Sequence, residues 1–279
     1  MRILLTGAGG QLGHELVDVL AQDEVHAFDH RSLDISDRQA VTTTVDRVRP
    51  AWVINAAAYN DVDAAEGDPE RAFAVNAAGA GYLAEAAAHA GAEVVHISTD
   101  YVFDGRKGAP YIETDQPDPL SVYGRSKYEG ELRVLDSAAS ACVLRTAWLY
   151  GAQGTNFVLS ILAAAKDSGP LRVVADQVGS PTWTRHLAGA ISALIRSPAR
   201  GLFHVANGGA CSRFEFAQAI VGRAIEVRRI TSAEAARRAP RPANSALASV
   251  RWEAAGFSPL PDWRTALREF LGELRAEPR

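Results

Sequence analysis

The chain has 279 residues, of which 47% are hydrophobic and 22% charged, enough to bury a sizeable core and too apolar for disorder. A formal charge of -4 and a pI near 6.0 exclude a general nucleic-acid binder, which needs a basic face to neutralise phosphates. No stretch approaches the roughly 20 apolar residues that span a bilayer, and Met1-Arg2 leads directly into an apolar strand rather than a secretory leader. A cytoplasmic protein without membrane or nucleic-acid partners is therefore expected. The two cysteines, Cys142 and Cys211, fit a reducing compartment, and the scattered histidines have no zinc-like spacing, so no metal site is expected.

Strand-like runs at 2–5, 25–28, 52–55, 93–98 and 141–146 alternate with helical runs at 11–21, 38–49, 69–89 and 122–135. A further strand is expected at 171–175. Strand-helix alternation predicts an α/β fold, a doubly wound parallel sheet of Rossmann type. Ligands in such sheets collect beyond the carboxyl ends of the strands. Gly7, Asp29, Asn55-Ala-Ala-Ala58 and Thr99-Asp100 occupy those positions, so they should converge on one crevice. After Thr146 the pattern loosens into helices at 156–167, 184–196, 212–221 and 263–274. We read residues 1–150 as a dinucleotide-binding domain and 151–279 as a smaller substrate-binding portion, interleaved with it and without a clear linker.

Gly7, Gly10 and Gly13 follow the first strand and open the first helix. Glycine there permits the tight turn, the approach of backbone N–H groups to a pyrophosphate and close helix–sheet packing, so this loop with Gln11 and Leu12 predicts a dinucleotide site. Asp29 ends the second strand, where a carboxylate would bond an adenosine ribose hydroxyl. Its neighbours His30 and Arg31 could instead embrace a 2'-phosphate. The balance leans slightly to NADPH over NADH, with dual use open; Asp34 and Ile35 are candidates for the adenine edge.

Tyr123 and Lys127 stand one helical turn apart in Val122-Tyr-Gly-Arg-Ser-Lys127, on one helix face. An ammonium beside a phenol favours the phenolate. A phenol of pKa about 10 must lose roughly 3 units, about 4 kcal/mol, to titrate near neutrality. Together with Ser98-Thr-Asp100, the pair predicts an oxidoreductase in which Tyr123 moves a proton. Asn55 and Asn76 are candidates for holding backbone near the cofactor and for anchoring water near Lys127, with helix capping as the plainer alternative.

These residues resemble the extended short-chain dehydrogenase/reductases and, within them, the dTDP-4-dehydrorhamnose reductase family. The resemblance runs over nearly the whole chain. It rests on Thr6-Gly-Ala-Gly-Gly-Gln-Leu-Gly13, Leu33-Asp-Ile35, Val53-Ile-Asn-Ala-Ala-Ala58, Val62-Asp63, Ser98-Thr-Asp-Tyr-Val-Phe-Asp-Gly105, Tyr123-Gly with Lys127, Arg145-Thr-Ala-Trp148, Asn156-Phe157, Gly179-Ser-Pro-Thr182 and Arg241-Pro with Asn244-Ser245. It implies NADPH- or NADH-dependent reduction of the C4 keto group of a dTDP-linked 4-keto-6-deoxyhexose, with Thr99, Tyr123 and Lys127 as the catalytic triad. Cofactor contacts would come from the glycine loop, Asn55, Ala56, Ala57, Ala58, Asn76, Ser98, Tyr123 and Lys127. Asp100 and Tyr101 would face the hexose, with Trp148 lying against it, while Asn156, Phe157 and Arg241 would face the nucleotide diphosphate.

The chain departs from the family pattern at Asn60-Asp61, which puts extra polarity on a loop facing the sugar, and at His186 and Leu247-Ala248 with Arg251. These departures raise the alternative of a 4-ketoreductase for a different deoxysugar. A non-catalytic regulatory subunit, like the β-subunit of methionine adenosyltransferase, is a further alternative. Dehydratase chemistry is disfavoured because the run after the strand is Ser-Thr-Asp-Tyr, without an acidic pair. A homodimer through the alanine-rich helix at 76–89 is compatible with the sequence, although small residues equally suit packing on the parent sheet. Mg2+ shared between subunits, with Glu269, Glu273 and Glu277 as conceivable ligands, is not implied by it.

Overall fold

The structure is a computed structural model and describes residues 1–137, 140–167, 169–223 and 225–276. In its first half β1 (Arg2–Thr6), α1 (Gln11–Val19), β2 (Glu24–Phe28), α2 (Arg38–Val48) and β3 (Trp52–Asn55) are followed by the short helices α3 (Val62–Ala65) and α4 (Pro69–Phe73). The run expected as one helix over 69–89 is broken by a π-helical segment, Ala74–Gly79, before α5 (Ala80–His89). Then come β4 (Glu93–Thr99), α6 (Val122–Ser137) and β5 (Ala141–Thr146).

The second half contains β6 (Leu149–Tyr150), α7 (Phe157–Ala164), β7 (Leu171–Val174), β8 (Val178–Gly179), β9 (Thr182–Trp183), α8 (Thr184–Leu194), β10 (Gly201–His204), β11 (Cys211–Ser212), α9 (Arg213–Val221) and β12 (Val227–Ile230). Three helices close it: α10 (Ser232–Ala235), α11 (Val250–Ala254) and α12 (Trp263–Ala276).

The main sheet has six parallel strands in the order β10-β5-β4-β3-β1-β2. Side-chain alternation along its strands splits the core in two. Ile3 and Leu5 of β1 join Cys142 and Leu144 of β5 under α1 and α8, while Leu4 joins Val143 under α2, α5 and α6. A third cluster, around Tyr150, Trp183, Phe216, Trp263 and Phe270, forms the core of the second half.

The edge strand β10 lies beyond residue 150 yet pairs with β5, and Leu187 and Ile191 of α8 pack in the same core as Leu16 of α1, so a boundary at 150 does not divide the sheet from the rest. The strand expected at 171–175 forms as β7 but pairs with β12 outside the main sheet. The alanine face of α5 is spent on the parent sheet, with Ala80, Leu83, Ala84 and Ala87 in its core. Among the described residues no helix is long and apolar enough to cross a membrane.

The chain winds outward from β1 to β2 and then crosses back past β1 to β3 on its other side, so the winding reverses between β1 and β3. This switch point opens a crevice at the carboxyl ends of β1 and β3, and the Gly7 and Ala56 turns meet there. Gly7 has φ +75°, and a Cβ on it would lie 2.5 Å from the Ala56 carbonyl. A Cβ on Gly13 would lie 2.2 Å from the Gly7 oxygen, so neither position accepts a side chain.

Candidate active site

Two adjoining cavities occupy the crevice. The larger, about 290 Å³, is lined by Gly10, Gln11, Leu12 and Gly13 at the start of α1, by Ala56, Ala58 and Asn60 after β3, by Ser98, Thr99 and Asp100 at the end of β4, by Tyr123 and Lys127 of α6, and by Trp148. The smaller, about 170 Å³, is lined by Gly7, His30, Asp34, Ile35, Ala57 and Ala58, together with Arg71 and Tyr59. The carboxyl ends of the five strands β1 to β5, together with α6, thus deliver residues scattered over the first 150 positions to one place.

The cradle at α1 fits a dinucleotide. Gly10 is exposed toward the larger cavity, a Cβ there would approach only the Gly7 oxygen, at 3.3 Å, and the first N–H groups of α1 have no intrahelical acceptor. With the positive end of the helix dipole beneath them, these groups suit a pyrophosphate.

Asn55 and Asn76 line neither cavity and act on the backbone. Asn55 is buried; its Oδ1 accepts from Thr6 Oγ1 at 2.8 Å and from the Ala57 N–H at 3.1 Å, tying the β1 and β3 turns together. Asn76, in the π-helical segment, accepts from the Tyr59 N–H and donates to the Tyr59 carbonyl and to Ser126 Oγ at 2.9 Å. It therefore joins the Tyr59–Asn60 loop to α6. Gly130 lets α6 come this close, since a Cβ there would lie 2.1 Å from the Asn76 carbonyl.

A second brace joins the Thr99 strand end to the Tyr123 helix. Glu131, fully buried one turn beyond Lys127, accepts from Ser98 Oγ at 2.5 Å and is held by Arg145 through Nε at 2.9 Å and Nη2 at 2.6 Å. The bidentate pair neutralises a carboxylate that burial would otherwise disfavour.

Lys127 is 2% exposed, and its Nζ donates to the Ile97 carbonyl at 2.6 Å. Burial pulls its pKa down to about 8, with Glu131 acting in the opposite direction. At Tyr123, burial raises the pKa well above the ordinary phenol value, only partly offset by the Thr99 hydroxyl beside it. The Lys127 ammonium is directed at the Ile97 carbonyl, and with desolvation dominant the Tyr123 phenol keeps its proton at neutral pH. Asp100 is buried, accepts from Ser245 Oγ at 2.5 Å and from Thr99 Oγ1 at 3.1 Å, and its pKa is pushed up to about 6 by burial.

Other expected residues stand at the margin. The Asp29 carboxylate is turned into its own loop, accepting from Ser32 Oγ at 2.7 Å and from the N–H groups of Arg31 and Ser32. Arg31 lines neither cavity. Asp61 caps α3 and Asn156 caps α7, the latter also donating to Gln11 Oε1 at 2.9 Å. Phe157 stacks on Phe216 with ring centroids 5.6 Å apart, and Tyr101 meets Tyr123 edge-on at 5.8 Å. Arg241, expected at the diphosphate, pairs with Asp63 at 2.9 Å, and its hydrogen bond holds that carboxyl at about 2.

His186 bonds Asn207 and lies against Trp183, outside both cavities. Of the conceivable magnesium ligands, Glu269 and Glu273 face His186 and Arg185, and Glu277 lies outside the described residues. Sequence reasoning missed Arg71 and Arg213. Arg71 sits in α4, sixteen residues after β3, and Arg213 opens α9; neither lies in a motif.

The family profile described as the RmlD substrate binding domain matches residues 1–276. A protein of Mycolicibacterium smegmatis named dTDP-4-dehydrorhamnose reductase is 45% identical over 96% of this chain and 84% of its own length. A Streptomyces antibioticus protein named probable dTDP-4,6-dihydroxy-2-methyloxan-3-one 4-ketoreductase is 44% identical over 99% of this chain and 96% of its own. The crystal structure of dTDP-4-dehydrorhamnose reductase from Bacillus anthracis in complex with NADP superposes with a TM-score of 0.95 at 39% identity, covering 98% of this chain and 99% of that one. With a dinucleotide cradle, a tyrosine, a threonine and a buried lysine in one crevice, and with relatives matching from end to end, the chain belongs to the dTDP-4-dehydrorhamnose reductase family.

Proposed function

We propose that the protein reduces the C4 keto group of a dTDP-4-keto-6-deoxyhexose with NADPH or NADH, most simply converting dTDP-4-dehydrorhamnose to dTDP-L-rhamnose. The observation that carries this reading is the single cavity lined by the α1 glycine cradle, Thr99, Tyr123, Lys127 and Trp148. The nicotinamide cofactor, when bound, supplies the hydride. Tyr123 holds the proton that the carbonyl oxygen takes up, and its raised pKa keeps that proton in place at neutral pH. Thr99 Oγ1 stands beside the phenol to bond the same oxygen. Lys127, fixed by the Ile97 carbonyl, carries the positive charge that steadies negative charge developing in the site. The face of Trp148 covers the apolar side of the hexose.

In the smaller cavity, His30 and Arg71 take the adenosine end. Arg71 replaces Arg31 as the cation for a 2'-phosphate, which favours NADPH. The departure at Asn60, which lines the cavity, together with the ketoreductase name of the Streptomyces antibioticus relative, favours as second reading a different deoxysugar. We place the reaction in the cytoplasm, which suits the two buried free thiols, Cys142 and Cys211.

The test follows NADPH and NADH oxidation across a panel of dTDP-4-keto sugars, with Tyr123→Phe as control. Turnover strongest on dTDP-4-dehydrorhamnose supports the first reading. Preference for another keto sugar supports the second. Cofactor binding without turnover on any sugar would leave the regulatory-subunit alternative.

A further inference from the structure

Arg213, the first residue of α9, is half-buried and forms no ion pair among the described residues. Its guanidinium carbon lies 3.5 Å from the centroid of the Trp148 ring and 5.0 Å from that of Phe157. The Tyr101 hydroxyl sits beside both Arg213 and Arg241. Asp100 attracts Arg213 from a distance but spends its oxygens on Ser245 and Thr99. Glu215, in the same helical turn, is committed to the capping box with Ser212. The helix dipole makes this end of α9 a poor place for a cation. The fold therefore keeps a stacked, planar charge on the ring that lines the Tyr123 cavity without giving it an anion of its own.

A stacked guanidinium presents its N–H edges in the fork that matches a phosphate. In a neutral hexose linked to a nucleoside diphosphate, the diphosphate is the only anion, and a hexose against Trp148 brings it within reach of the guanidinium held on that ring. Arg241, the cation expected for this task, is already neutralised by Asp63. We propose that Arg213 is a substrate-binding residue that seats the diphosphate of the nucleotide-sugar, with the Tyr101 hydroxyl as its neighbour. The inference rests on the nucleotide-sugar reading above.

Calorimetric titration of the full-length chain, saturated with NADPH, with dTDP and with UDP tests it. Arg213→Met keeps packing volume against Trp148 and Phe157 while removing the charge, and Arg213→Lys restores the charge without the fork. We expect R213M to weaken dTDP binding about 10- to 100-fold and R213K to recover part of the loss. NADPH affinity should be unchanged in both, which reports an intact fold. In turnover, the loss should fall on KM for the nucleotide-sugar with kcat nearly constant. R213M binding dTDP within about twofold of wild type would overturn the assignment while leaving the nucleotide-sugar reading intact. Wild type binding neither diphosphate would instead remove the reading itself, and the assignment with it. Should R213M lose NADPH binding as well, R213K decides by the same comparison: unweakened dTDP binding there overturns the assignment, and weakened binding supports it.

Discussion

Replacing Lys127 by methionine should make the protein more stable and less active. The ammonium is 2% exposed, and its pKa falls from 10.5 to about 8 on folding. A depression of roughly 2.5 units corresponds to about 3 kcal/mol of destabilisation wherever the group is charged in both states, that is, below pH 8. The sign follows from the direction: the folded state resists the proton, so stability is greatest above pH 10.5 and is lost as pH falls through 8. Against this stands the loss of the hydrogen bond to the Ile97 carbonyl, about 1 kcal/mol. Lys127→Met should therefore gain about 2 kcal/mol near pH 6.5, with the gain shrinking as pH rises toward 10. Urea unfolding of both proteins from pH 6 to 10 measures the gap, and NADPH oxidation measures the loss of turnover. A variant less stable than wild type at pH 6.5, or a gap that does not change with pH, would refute the reasoning.

Asp100→Asn should behave as the acidic counterpart. Its pKa rises from 3.8 to about 6 on folding, so its stabilising contribution is complete below pH 3.8 and is lost as pH rises through 6. The asparagine should add up to about 3 kcal/mol near pH 7.5 and nothing below pH 4, as read by thermal or urea unfolding. Tyr123→Phe should lower kcat by about 100- to 10,000-fold with NADPH affinity preserved, a split that fluorescence titration of the cofactor resolves. Glu131→Gln leaves Arg145 buried without its carboxylate and should cost about 3–5 kcal/mol in unfolding free energy. Gly13→Ala, whose methyl would lie 2.2 Å from the Gly7 oxygen, should abolish measurable NADPH binding; retained affinity would argue against the cradle.

The parallel sheet, its first five strands and the glycine turn were legible because short β-branched runs, helical runs and glycines at strand ends each carry local signals. Tyr123 and Lys127 were legible because one helical turn is a local distance. The strand β10 was not, since Gly201–His204 has no periodic neighbour and acquires its place only by pairing with β5. Likewise the π-helical break at Ala74–Gly79 leaves no mark in an alanine-rich run.

What the residues determined alone, then, is chemistry that depends on neighbours in the chain: a strand, a turn free of side chains, a phenol and an amine on one helix face. What only the tertiary structure decided is the environment of those groups. Desolvation and hydrogen-bond partners come from segments distant in sequence, so the carbonyl of Ile97 claims Lys127, burial turns the Tyr123 pKa upward, and Asp63 takes Arg241 while Arg213, without an ion pair among the described residues, stacks on Trp148. Charge and burial act through space, and the fold alone sets those distances.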